Sequence, residues 1–319
     1  MKSWLKLFFA SAVLGLGVGS SSIADPLDPA HVPGDSKWVV HVDMDAVRKS
    51  GIWKPVYDRL QQNPQFLKQV QDVEAVFNAR FPEDLHDVTL AGAAFGDKAG
   101  VVLVHATVDR KQVERMLSTN PSYASEPRGN HAVLTWDDKG QTNYGGFVSD
   151  DQFIIGQSKD RVAAVFDTLD GKAAALKPDA TLVKGTQNGL LIYVAGDELA
   201  KLRQAQIAKS PLLTQMQSAW ITLNQEKDNL VLHLNVNATD AATADKMKQA
   251  AEGGRAMLAL AAGEPEADPK LKLLADFVAS AQLAVKESSV TVSITVPQTT
   301  ITDLLDKNLG AKQDEAPKP

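Results

Sequence analysis

Cysteine is absent from all 319 residues. That excludes thiol nucleophiles, disulfides and thiolate metal sites, and leaves stability to the hydrophobic core. Beyond the N-terminal stretch no apolar run approaches about 18 residues, so no helix of the mature chain is expected to span a bilayer. An excess of positive charge is missing as well, with 33 Lys and Arg against 39 Asp and Glu and a formal net charge of −6. A mildly acidic chain argues against nucleic acid and anionic membrane as default partners. Three catalytic signatures are also lacking: G-x-S-x-G, H-E-x-x-H and the P-loop.

The N-terminus is the first positive feature. Lys2 and Lys6 precede an apolar run over residues 7–19, and Ser22-Ile23-Ala24 has the small-x-small form of a cleavage site. Residues 1–24 therefore read as a secretory signal peptide, with cleavage between Ala24 and Asp25. Its removal takes two lysines and no acids, moving the net charge from −6 to −8. No cysteine is present to carry a lipoprotein anchor, so the expected location is secreted or periplasmic.

Residues 37–60, KWVVHVDMDAVRKSGIWKPVYDRL, set the organisation of the rest. A short apolar run meets an acidic step, then Val47, Ile52, Val56, Tyr57 and Leu60 fall near one helical face. The plan returns in residues 189–202, GLLIYVAGDELAKL. There Leu190, Ile192 and Val194 stand for Trp38, Val40 and Val42, and Asp197 stands for Asp45. Asp109 and Met116 pair in the same way with Asp240 and Met247. Such an echo suggests an internal repeat. In each copy the order strand, helix, strand, strand, helix, strand is the ferredoxin-like βαββαβ pattern. The expected fold is α+β, two related units with mainly antiparallel sheets backed by helices. That topology predicts residues 101–107 beside and parallel to 37–43, and 230–236 beside 189–194. The expected divisions are an irregular lead-in at 25–36, a first unit at 37–170, a linker at 171–188, a second unit at 189–310 and a disordered tail at 311–319. Helices are expected over 63–80 and 197–217, a breaker-rich loop over 120–129, and inward-facing Leu274 and an Ala/Gly stripe from Ala250 to Ala261 in the second unit.

The most chemical-looking string is His41-Val42-Asp43-Met44-Asp45. His41 and Asp43 alternate on one strand face, and both residue types suit zinc or iron. With His86, Asp87 and His105 they would make a metal-assisted hydrolase centre if the fold brought them together. The simpler reading places His41 and Asp43 on a polar strand face, with Asp43 or Asp45 capping a helix. No metal or cofactor is assigned on that reading. Asn143-Tyr144-Gly145-Gly146 opens a strand rather than a helix, so it reads as close backbone packing or a bulge, not a phosphate cradle. Met116, Met247 and Met257 could together line an adaptable apolar surface.

The stretch WVVHVDMDAVRKSGIW, following a signal peptide and echoed once, resembles a group of secreted proteins of planctomycete-type bacteria. The resemblance implies export and a duplicated α+β unit, and it carries no catalytic residue over. The sequence thus favours a non-enzymatic binding or interaction module of the cell envelope, with a protein or envelope partner. The metal-dependent hydrolase is one alternative. The other is a carrier of an apolar ligand, for which a cavity of about 300 Å³ or more would be the deciding feature.

Overall fold

The structure, a computed structural model, describes residues 27–95, 99–202, 213–264 and 266–302. The signal peptide with its Ala24–Asp25 junction, the turn at 96–98, the middle of the helix expected over 197–217 and the tail at 311–319 lie outside them.

In chain order the strands are β1 Trp38–Asp43, β2 Leu85–Gly92, β3 Gly100–Ala106, β4 Ala124–Arg128, β5 His131–Asp138, β6 Gln141–Phe147, β7 Gln152–Gly156, β8 Leu190–Gly196, β9 Met216–Glu226, β10 Asn229–Ala238, β11 Gln282–Lys286 and β12 Ser289–Pro297. The helices are α1 Met44–Lys49, α2 Trp53–Leu60, α3 Pro64–Phe77, α4 Arg110–Ser118, α5 Lys159–Leu169, α6 Ala241–Gly263 and α7 Pro269–Ala279.

The twelve strands among the described residues join one sheet in the order β11-β12-β10-β9-β8-β1-β2-β3-β7-β6-β5-β4. Every neighbouring pair is antiparallel. The fold is α+β, but the ferredoxin-like pairing is overturned. β3 lies between β2 and β7, not beside β1, and β10 lies between β9 and β12, not beside β8. The reason is that both edges of β1 are already taken, by β2 on one side and β8 on the other. What would have been two sheets is continuous through the β1–β8 pair, where His41 faces Tyr193. Outward from that pair one side reads β1-β2-β3-β7-β6 and the other β8-β9-β10-β12-β11.

Local chemistry sets the helix starts. Asp43, Asn63, Asp109, Ser158 and Asp240 each place a side-chain oxygen on a free N–H of the first turn. Of the two candidate caps on the first helix, Asp43 does the work, accepting from Ala46 N at 2.6 Å. The expected single helix after β1 is split at Ser50-Gly51 into α1 and α2. The helix expected to reach Arg80 ends at Phe77, because Asn78 turns left-handed at φ 49°. Of the helix expected over 197–217, the described residues form 3-10 turns at Leu199–Leu202 and Leu213–Gln215, and Met216 and Gln217 already belong to β9.

The sheet is covered on both faces. Val42, Val88, Val104 and Phe153 share one face and pack beneath α1–α4. On the opposite face Val101 and Ile154 meet Val162, Val165 and Phe166 of α5. Nearer the middle, Val39 and Tyr193 meet Leu27 and Val32 of the lead-in and Leu176, Leu182 and Val183 of residues 171–188. That segment, expected as a linker, is a core-forming cover. In the second half Ala250, Gly254, Met257, Ala261 and Leu274 face solvent rather than the core. Helix α6 instead packs through Ala244 and Met247.

Candidate functional site

The expected polar face around His41 is not a surface. His41 is 4% exposed and Asp43 5%, because the lead-in and residues 171–188 cover it. His41 Nδ1 lies 2.8 Å from Thr89 Oγ1, and Asp43 stands opposite Asp87 across the β1–β2 pair. A cleft of about 100 Å³ brings His41, Asp87 and His105 to one lining, with Asp28, His31 and Gln152. His86 approaches from beside it, its ring centroid 4.9 Å from that of His105. Asp45 lies apart from the cleft lining, in a buried pair with Arg48.

The sequence candidates therefore largely converge, yet their donor atoms are engaged with one another. His105 Nδ1 is 3.0 Å from Asp87 Oδ2 and its Nε2 is 3.4 Å from Asp151 Oδ2. His86 spans Asp45 at 3.4 Å and Thr107 at 3.1 Å. The hydrogen bond to Asp87, which accepts, chiefly raises the pKa of the His105 imidazole. Burial, then the neighbouring His105 and Arg48, push His86 the other way. Among the described residues no group of three or more His, Asp or Glu is disposed to hold a metal ion.

Asp43 gives this cluster a pH signature. Its carboxyl is pushed up to about 6, first by burial and then by Asp87, against the pull of the Ala46 N–H, Lys49 and Arg48. A carboxyl raised in the folded state contributes stability below its unfolded value, and that contribution is lost as pH rises through about 6. Asp43→Asn keeps the capping acceptor and removes the buried charge. It is expected to stabilise the protein by about 3 kcal/mol near pH 8, shrinking toward zero near pH 4. Thermal melts of both proteins across that range check it; an equal effect at both ends would remove Asp43 as the titrating group.

The larger opening lies on the other face, between α4 and strands β5–β7. It is an apolar cavity of about 380 Å³. Val113, Met116 and Leu117 of α4 form the roof, Leu134 and Trp136 of β5 one wall, and Phe77, Phe147 and Phe153 another. Phe77 stacks on Phe153 at 5.1 Å, and Phe147 packs against it at 5.9 Å. The expected close packing at the glycine pair is real. A Cβ on Gly145 would stand 2.5 Å from Ile154 O and 3.1 Å from the Trp136 ring, and one on Gly146 would stand 2.2 Å from Ala132 O. The sheet can thus bring β5 to β7 close while α4, only nine residues long, leaves volume above them.

Of the methionines expected on an apolar surface, Met116 reaches this cavity, 40% exposed at its mouth, while Met247 of α6 packs against the cluster of Ala238 and Val290 and Met257 points to solvent. Sequence reasoning missed Asn143, which is fully buried in the cavity lining. The available signal was an amide alternating with Gly145 and Phe147 on one face of the strand.

No family model and no curated protein matches this chain. Similar solved structures include two crystal forms of TP0453. Crystal form IV of TP0453 shares 8% identity, covering 88% of this chain and 96% of that one, with a TM-score of 0.50. Crystal form III of TP0453 shares 10% identity, covering 89% and 98%, with a TM-score of 0.49. At 8% identity the first likeness concerns the fold alone. Among the described residues no helix is long and apolar enough to cross a membrane.

Proposed function

We propose that the chain is an exported, non-enzymatic binding protein of the cell envelope that carries an apolar small molecule in the cavity beneath α4. The cavity itself carries this reading. Its volume of about 380 Å³ falls within the range of small-molecule sites, about 300–1,000 Å³, and its lining is mostly aliphatic and aromatic. The rings of His41 and His105 contact Thr89, Asp87 and Asp151, and it is the cavity rather than this cluster that carries the reading. Docking of a protein partner by strand addition has a narrower basis, since the β4 edge carries Glu126, Pro127 and Arg128, which blunt such pairing. Export is supported by the charge, apolar run and cleavage site of residues 1–24, and a mature mass starting at Met1 would count against it.

The reading includes two related units, like those implied by the resemblance to secreted planctomycete-type proteins. It is supported by the matching strand orders on either side of the β1–β8 pair. Thr89 faces His41 as Thr222 faces Tyr193, and Asp109 and Asp240 each cap a helix through the N–H three residues on. Failure of the two five-strand sets to superpose at these registers would reduce the echo to coincidence.

The carrier reading is tested with N-phenylnaphthylamine, a dye that fluoresces in apolar sites. Saturable binding is expected, with a rise in melting temperature. Met116→Trp, which places an indole at the mouth, is expected to weaken binding tenfold or more while the melting temperature of the free protein changes little. Absence of saturable binding to the wild-type chain would sink the proposal.

A further inference from the structure

Resting on the carrier reading, we infer that the cavity selects an apolar molecule bearing a neutral hydrogen-bond donor, an alcohol or amide rather than a carboxylate, and that Asn143 Oδ1 is the acceptor. Asn143 is 0% exposed and sits in the cavity lining. Its Nδ2 donates to Gln141 O at 3.2 Å. That bond fixes the amide orientation, because the flipped form would set two carbonyl oxygens against each other. Oδ1 is then the free acceptor, and it has no hydrogen-bond partner among the described residues. A buried acceptor left in this condition destabilises the fold. A ligand donor would relieve that penalty on binding, whereas an ether or alkane would leave it standing.

The charge around the opening points the same way. Asp137 and Asp138 are in the lining, and none of the described lining residues is cationic. A fatty carboxylate would bring a negative charge toward two others and offer Asn143 no proton. Tight rejection of a partner lacking the required donor is what a site with a buried polar group achieves.

The test compares n-octanol with heptyl methyl ether, an isomer with the same atoms and no O–H, and with octanoate. Each is read by displacement of N-phenylnaphthylamine. The wild-type protein is expected to bind octanol about tenfold more tightly than the ether, the scale of one satisfied hydrogen bond, and to bind octanoate most weakly. Asn143→Leu is expected to lose the preference for octanol and retain the ether. The wild-type comparison needs no variant, so a misfolded Asn143→Leu leaves it decisive. Equal binding of octanol and ether to the wild type would overturn the donor inference and leave the carrier reading intact. Binding of none of the three, with no binding of the dye itself, would overturn both.

Discussion

Arg48→Ala is expected to lower the unfolding free energy by about 3–5 kcal/mol, the range for breaking a buried ion pair by removing one partner. The Arg48 side chain is 4% exposed and the Asp45 side chain 3%, and the two are paired within α1. Arg48 Nη1 also donates to Pro82 O at 2.6 Å and Leu85 O at 2.5 Å. Burial is the main influence lowering its proton affinity, so its charge is retained at a desolvation cost that these partners offset. Truncation would strand Asp45 beside His86 and leave two carbonyls of the turn into β2 without this donor. Urea unfolding measures the effect. The double variant Asp45→Ala/Arg48→Met should recover much of the loss, since it removes both charges together. A cost below about 1 kcal/mol for Arg48→Ala, against the 3–5 expected, would show that water replaces the guanidinium and that the network is not closed.

The sequence made the local steps legible because they depend on few atoms. Asp43, Asn63, Asp109, Ser158 and Asp240 cap helices wherever a short polar side chain precedes an apolar periodicity. Hairpins such as β9–β10 follow from a polar turn between alternating runs. Strand order was not legible. Alternation states which side of a strand is buried, but any of several neighbours can satisfy it. The antiparallel pairing of β1 with β8 joins residues about 150 positions apart, and no local signal specifies it. β4 was missed for a different reason: all five of its residues are exposed and one is Pro127, so it lacks the apolar alternation that marks a strand.

The candidate site divides in the same way. His41, Asp87 and His105 were visible as residue types, and they do converge, but their burial was not. Alternation around Val40 and Val42 implied a wet opposite face, whereas Leu27, Val32 and Leu182 cover it from distant parts of the chain. The cavity under α4 was less accessible still. A void is a mismatch between volumes contributed by several elements, and no single element of the sequence encodes it. Asn143 acquires meaning only once Leu134, Phe147 and Val113 are known to surround the same space.

The second large effect is expected at the junction of the two halves, where Tyr193→Ala should cost about 3–5 kcal/mol, the usual range for truncating a large buried aromatic. Tyr193 is 1% exposed and faces His41 in the strand pair that makes the sheet continuous. Its ring packs in the cluster that joins Val39 of β1 to Leu27, Val32, Leu182 and Val183. Gly185 lies against it, and a Cβ there would fall 2.9 Å from the Tyr193 ring and 2.3 Å from Trp220. Truncation would therefore loosen the lead-in and residues 171–188 together, since both rest on this one side chain. The hydroxyl matters less. It accepts from Gly185 N at 3.4 Å, and burial pushes its pKa up to about 12, so Tyr193→Phe should cost less than about 1 kcal/mol. Urea unfolding gives the two costs, and limited proteolysis locates the loosening, with new cleavage expected between residues 171 and 188 in Tyr193→Ala alone. Comparable losses from Phe and Ala would transfer the stabilisation from ring packing to the hydroxyl. Cleavage elsewhere, with 171–188 still protected, would mean that this segment is held by Leu176 and Val32 without the junction strand.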